Sequence, residues 1–179
     1  MNRRLRRTAV LALTLLLPAA AAGQVSANAG NAATAVVSTT ALVATVNRNL
    51  DFGFRFPGSG ALTISPAAGT QRAEVEIHGT RNAEMNITFA MPANLVNGAN
   101  TLPITFGAGS GCHLNRLTPP GPACTLFNPA GGLTVRIRNQ TFPNNTYFIW
   151  LGGSINVPVG QAPGTYAATI TLTTTYTGN

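Results

Sequence analysis

The sequence predicts the all-β class, an antiparallel β-sandwich of about eight to nine strands. Three observations carry this. Short runs alternate apolar and polar residues with period two, the pattern of a strand with one buried face. Turn residues separate the runs, with 19 Gly and 12 Pro in 179 residues. No stretch beyond residue 23 sustains a 3.6-residue apolar period over helical length.

In chain order, MNRRLRR opens with four arginines, the apolar run Thr8–Leu17 follows, and Pro18 precedes AAAAG. This is the anatomy of a secretory signal peptide over residues 1–23. The apolar run falls short of the roughly 20 residues that a membrane span needs. Residues 24–34, QVSANAGNAAT, are small and polar and read as a flexible mature N-terminus. From 35 to 179 the chain reads as one sandwich domain. AVVSTTALVATV at 35–46 is rich in β-branched residues, with its alternation broken at Val36–Val37. NLDFGFRFPGSG ends in a Pro-Gly-Ser-Gly turn at 57–60. ALTIS at 61–65 is a short strand, and AEVEIHG at 73–79 places Ala73, Val75 and Ile77 inward, with Glu74, Glu76 and His78 outward. EMNITFAMP at 84–92 buries Met85, Ile87, Phe89 and Met91, and NTLPITFG at 100–107 buries Leu102, Ile104 and Phe106. A cysteine-loop insertion spans about 108–131. LTVRIRN at 133–139 turns Leu133, Val135 and Ile137 inward and Arg136 and Arg138 outward, where these arginines have Glu74 and Glu76 as candidate partners. YFIWLGGSINVPVG at 147–160 is apolar and turns at Gly152–Gly153. The last strand alternates strictly, with Tyr166, Ala168, Ile170, Leu172, Thr174 and Tyr176 on the core face.

Charge excludes a nucleic-acid partner. The formal charge of the whole chain is +7, but beyond residue 23 seven arginines face four acids, a balance of +3 without clusters. Cys112 and Cys124 form one pair in an exported chain, which predicts a disulfide closing a loop of about a dozen residues. Such a bridge contributes on the order of 3 kcal/mol. A metal site is not expected, because Cys112 and His113 are sequence neighbours that aim poorly at one ion.

No catalytic residue is expected. The chain has two histidines, His78 and His113, and His78 sits on a face that reads as solvated. Glu74 and Glu76 lie roughly 7 Å apart along one strand face, a spacing that glycoside chemistry tolerates, but nothing beside them forms a pocket. GxSxG is absent, and GAGSG at 107–111 precedes no helix that would hold a phosphate. Trp150 lies in an apolar run and reads as core. No cofactor is expected.

Two stretches carry a resemblance: NLDFG with PGSGALTISPAAG, and VPVGQAPGTYAATITLTTTYTGN at the end. Leu50–Gly53, Pro57–Gly60, Thr63–Pro66 and Val157–Tyr176 resemble the motifs of the secreted bacterial family called domain of unknown function 4402. The ending is similar, more distantly, to spore coat U and chaperone–usher pilin-like domains, although Ala168 stands where such pilins often carry Asp. The resemblance implies an Ig-like or pilin-like sandwich outside the cytoplasm, in the periplasm, at the cell surface or in the medium. It supplies no activity.

If nothing follows the final strand in space, its edge exposes unpaired N–H and C=O groups, and such an edge templates pairing with another chain. The 35–46 segment is expected to cover that edge, either within one molecule or in a neighbour. Strand-assembly candidates are Val37, Ala41 and Val43 on that segment, and Ile170, Leu172 and Tyr176 on the last strand. The expected function is that of a secreted, non-enzymatic structural protein, a surface or pilus-like subunit. Its partners would be itself or related subunits and a periplasmic chaperone. The rival expectation is a monomeric binding module, with glycan as a ligand, built around Trp150 and the cysteine insertion.

Overall fold

A computed structural model describes residues 26–29, 41–115, 123–137 and 146–178, and all statements below concern those residues. The expected signal peptide at 1–23 lies outside them, as does Val37. The first strands are β1 (Ser26–Ala29), β2 (Val43–Arg48), β3 (Gly60–Ile64), β4 (Ala73–His78) and β5 (Glu84–Ala90). Next come β6 (Asn94–Asn97), β7 (Asn100–Thr105), β8 (Gly111–Leu114) and β9 (Thr125–Phe127). The last are β10 (Leu133–Arg136), β11 (Thr146–Leu151), β12 (Gly153–Val157) and β13 (Thr171–Tyr176). Three sheets result, in the orders β1-β13-β5-β10, β2-β4-β11-β8-β9 and β3-β12-β7-β6. Their pairings are antiparallel. The all-β sandwich follows directly from the period-two runs.

Thirteen strands replace the expected eight to nine. The surplus sits in β1, β6, β8 and β9, each of three or four residues, too short for a period to register. Two expectations change with it. Ser26–Ala29, placed by composition in a flexible leader, is a strand. Both arms of the expected cysteine insertion are strands of the second sheet, β8 and β9, paired from Gly111↔Phe127 to His113↔Thr125. The main core lies between the first and second sheets, where Val75, Ile77, Ile149 and Leu151 meet Met85, Ile87 and Leu172. A second core lines the third sheet, with Phe52, Ile64, Leu102, Ile104, Ile155 and Val157. β11 is buried along all six residues, which explains its continuous apolar run.

Gly152 is not the tip of a hairpin. β11 belongs to the second sheet and β12 to the third, so the chain steps between sheets at this residue. A Cβ there would stand 2.0 Å from the Ile64 carbonyl oxygen, and only glycine permits that approach. Val36 and Val37 lie outside the described residues; within them, the β2–β4 ladder carries a register shift between Val46 and Arg48.

Candidate functional site

The last strand decides where a site forms. β13 pairs along one side with β5, from Thr171↔Ala90 to Tyr176↔Met85. Upstream the same side continues to Val96, which exchanges backbone bonds of 2.9 and 3.0 Å with Ala167. On its other side β13 pairs with β1, from Ser26↔Thr175 to Ala29↔Leu172. β1 also contacts β2 and so fills the seam between the first and second sheets. The segment expected at this edge, 35–46, behaves differently: its described strand residues pair with β4, Val43 opposite His78.

A cleft of about 1130 Å³ lies between residues 46–57 and 161–172. Its inner surface is apolar, with Val75, Leu102, Ile104, Ile155 and Leu172 drawn from both cores. One wall is fixed by Tyr166, whose hydroxyl donates to the Ala162 carbonyl at 2.8 Å and accepts from Gln161 Nε2 at 2.6 Å. The other wall is a turn-rich loop. Asp51 N–H donates to the Gln71 carbonyl at 2.8 Å, and Gly53 N–H donates to Asp51 Oδ1 at 2.7 Å. Arg55 Nε donates to the Phe52 carbonyl at 3.1 Å, and Gly58 N–H donates to the Pro158 carbonyl at 2.9 Å.

This loop exposes what a soluble surface usually hides. Phe54 is 81% and Phe56 70% exposed, their rings packed edge to face at 5.0 Å, and Val159 is 92% exposed beside Gly58. Sequence reasoning missed the Phe pair. Phe52, Phe54 and Phe56 share one phase of an alternation, yet only Phe52 is buried. Gly53 at φ +66° turns the chain between them. The FGFRF run followed by a Pro-Gly turn was the available signal.

The expected strand-assembly residues divide. Leu172 is buried in the main core, Tyr176 and Ile170 are half-buried against it, and Ile170 and Leu172 also line the cleft. Tyr176 Oη accepts the Thr80 N–H at 2.5 Å, which ties the end of β13 to the turn after β4. Ala41 and Val43 are exposed and lie away from the cleft lining.

The acidic strand face is corrected. Glu74 is buried, because Trp150 on the adjacent β11 donates its indole N–H to Glu74 Oε2 at 3.0 Å. Arg48 completes the pair at 3.7 Å. Glu76 accepts from Asn47 Nδ2 at 3.0 Å and bridges His78 Nε2 at 3.1 Å, while His78 Nδ1 meets Thr146 Oγ1 at 3.3 Å. Arg136 pairs with Glu84 at 3.9 Å rather than with the β4 glutamates, and Arg138 lies outside the described residues. Trp150 is fully buried, stacked on Phe148 and under the Arg72 guanidinium at 4.7 Å, so it offers no face to a ligand. Among the described residues no three of His, Cys, Asp and Glu stand together as metal ligands.

Cys112 and Cys124 are joined, with Cα atoms 5.7 Å apart, and pack beside Phe148 and Trp150. His113 points to the opposite side of β8, where Nδ1 meets the Tyr147 hydroxyl at 2.5 Å and the two rings stack. Burial holds its pKa below the ordinary histidine value. Among the described residues no helix is long and apolar enough to cross a membrane. Comparison of the chain with family models, with curated proteins and with solved structures finds no match.

Proposed function

We propose that this chain is a secreted, non-enzymatic structural protein, a surface or pilus-like subunit that assembles by strand complementation. The observation that carries the reading is β1. Four leader residues pair with the outer edge of β13, so the leader is competent to complete that edge. The same pairing supplied by a neighbour is a head-to-tail contact, and such contacts propagate into filaments. The disulfide accords with an oxidising compartment outside the cytoplasm. The partners in this reading are further copies or related subunits, with a periplasmic chaperone guarding the edge before assembly.

A second reading rests on the cleft. An apolar cavity of about 1130 Å³ rimmed by exposed aromatic rings suits a binding module, with Phe54 and Phe56 in the role that Trp150 cannot fill. Sedimentation of the exported chain over a concentration series separates the two. Polymers that grow with concentration are expected. Removal of residues 24–40 should abolish them and leave a less stable subunit, which a peptide of those residues should restabilise as a one-to-one complex. A full chain that stays monomeric at every concentration discards the structural reading and leaves the binding module.

A further inference from the structure

We propose that the cleft is the binding site of a single long-chain amphipathic anion, a fatty carboxylate, whose chain lies on the apolar floor and whose carboxylate meets Arg55 at the mouth. The proposal deepens the binding-module reading of the cleft and rests on it.

The lining grades from floor to mouth. The buried floor is Phe52, Leu102, Ile104, Ile155 and Val157 from the second core, with Leu172 from the main core. These side chains are hydrocarbon and offer a ligand neither donor nor acceptor. A sugar lowered onto them would leave hydroxyls unpaired, a cost that such a floor does not offset. A hydrocarbon chain makes no such demand and gains by leaving water. The volume of about 1130 Å³ lies just above the usual ligand-pocket range of about 300–1,000 Å³, which suits a long chain better than a small apolar molecule.

The mouth is different. Phe54 and Phe56 belong to the lining yet stand exposed, with Arg55 between them in the chain. Folding does not account for these rings. A phenylalanine that becomes buried removes about 150–250 Å² from water, and this loop presents two of them to solvent. The loop is nonetheless held in place. Arg55 Nε donates to the Phe52 carbonyl at 3.1 Å, and Ser59 N–H donates to the Phe56 carbonyl at 3.0 Å across the Pro57–Gly58 turn. A fixed apolar pair where the cleft meets solvent covers the part of a bound chain that the floor does not reach.

Charge selects the other end of the ligand. Three charged residues line the cleft, Arg48, Asp51 and Arg55. Two are engaged: Arg48 lies 3.7 Å from the buried Glu74 carboxylate, and Asp51 Oδ1 accepts the Gly53 N–H at 2.7 Å. Arg55 spends only Nε on the Phe52 carbonyl, and among the described residues its guanidinium pairs with no carboxylate. Its two terminal NH2 groups form the fork from which a carboxylate accepts two hydrogen bonds. A ligand apolar along its length and anionic at one end satisfies the floor, the rings and the guanidinium together.

The test is displacement of a neutral naphthylamine fluorophore from the full exported chain by monomeric oleate and by oleyl alcohol. The fluorophore should bind, and oleate should displace it at about tenfold lower concentration than the alcohol. Arg55→Gln should remove that preference, and Arg55→Lys should keep most of it, because the charge remains. Phe54→Ser/Phe56→Ser should weaken both competitors alike, by about tenfold, with thermal unfolding unchanged. If the parent does not bind the fluorophore, the binding-module reading falls and takes the ligand class with it. If the fluorophore binds but oleate and oleyl alcohol compete equally, or Arg55→Gln keeps the preference, the fatty carboxylate is overturned while the binding module stands. Oleate binding that appears only after removal of residues 24–40 would overturn the proposal in favour of the chain's own leader as occupant. A parent that pellets with phosphatidylglycerol vesicles and leaves monomeric oleate unbound would overturn it in favour of a bilayer surface.

Discussion

At the scale of single residues, Glu74 shows how a neighbouring strand overrides a local pattern. Period two assigns it to the outer face of β4, and it does share that face with Glu76 and His78. The face is covered, however, because Trp150 on β11 needs an acceptor for its indole N–H and Glu74 Oε2 supplies it. Glu74→Ala would leave that donor buried and unpaired and would remove the counter-charge from Arg48. The expected loss is roughly 3 kcal/mol by urea denaturation, with Glu74→Gln losing less because an acceptor remains. His113 makes a pH-dependent contribution. Burial depresses its folded-state pKa, so the unfolded chain binds the proton more readily. Its share of stability is complete above the unfolded value of about 6.5 and declines as pH falls below it. Thermal midpoints of the parent should therefore fall between about pH 7.5 and 5 more steeply than those of His113→Gln.

At the scale of elements, β13 and the segment before it behave as two different things. Leu172 and Thr174 are sealed between β5 and β1, whereas Ile170, in the same alternation, is half-buried at the cleft wall. Leu172→Ala should cost about 2–5 kcal/mol, the usual range for a core cavity. Ile170→Ala should cost clearly less in the isolated subunit, and Thr171→Ala less than about 1 kcal/mol. Chemical denaturation of the three variants reads all of these, and an equal loss at Ile170 and Leu172 would contradict the open cleft.

At the scale of the whole molecule, the fold depends on a chain that changes sheets without a loop. β11 is the buried middle of the second sheet and β12 belongs to the third, with Gly152 alone between them. A methyl group at 152 would meet the Ile64 carbonyl at 2.0 Å, with Pro66 N next at 2.8 Å. The two nearest atoms are backbone of the 64–66 segment, which cannot swing aside as the end of a flexible side chain would. Gly152→Ala should therefore lose more than about 3 kcal/mol, read as a large fall in thermal midpoint or as insoluble protein. Gly160, where an added Cβ has open space, is the control, although its φ of +88° still favours glycine.

The sequence by itself determined the class of the fold, most of its core and its covalent staple. Alternation marks Val75 and Ile77, Met85 and Ile87, Leu102 and Ile104, and all six are buried. Those are local properties: a strand with one wet face must repeat every second residue, and a lone cysteine pair at short spacing has one way to close. Only the tertiary structure decided what covers each face and each edge. It buried Glu74, withdrew Trp150 from any ligand, exposed Phe54 and Phe56, and set Ser26–Ala29 beside β13 and Val43–Arg48 beside β4. None of these follows from periodicity, because a strand's own residues state which side is apolar and not which neighbour comes to meet it. The edge of β13 is the extreme case. Its partner is Ser-Ala-Asn-Ala, four small residues too short to register a period, held by backbone pairing to a strand more than a hundred residues away.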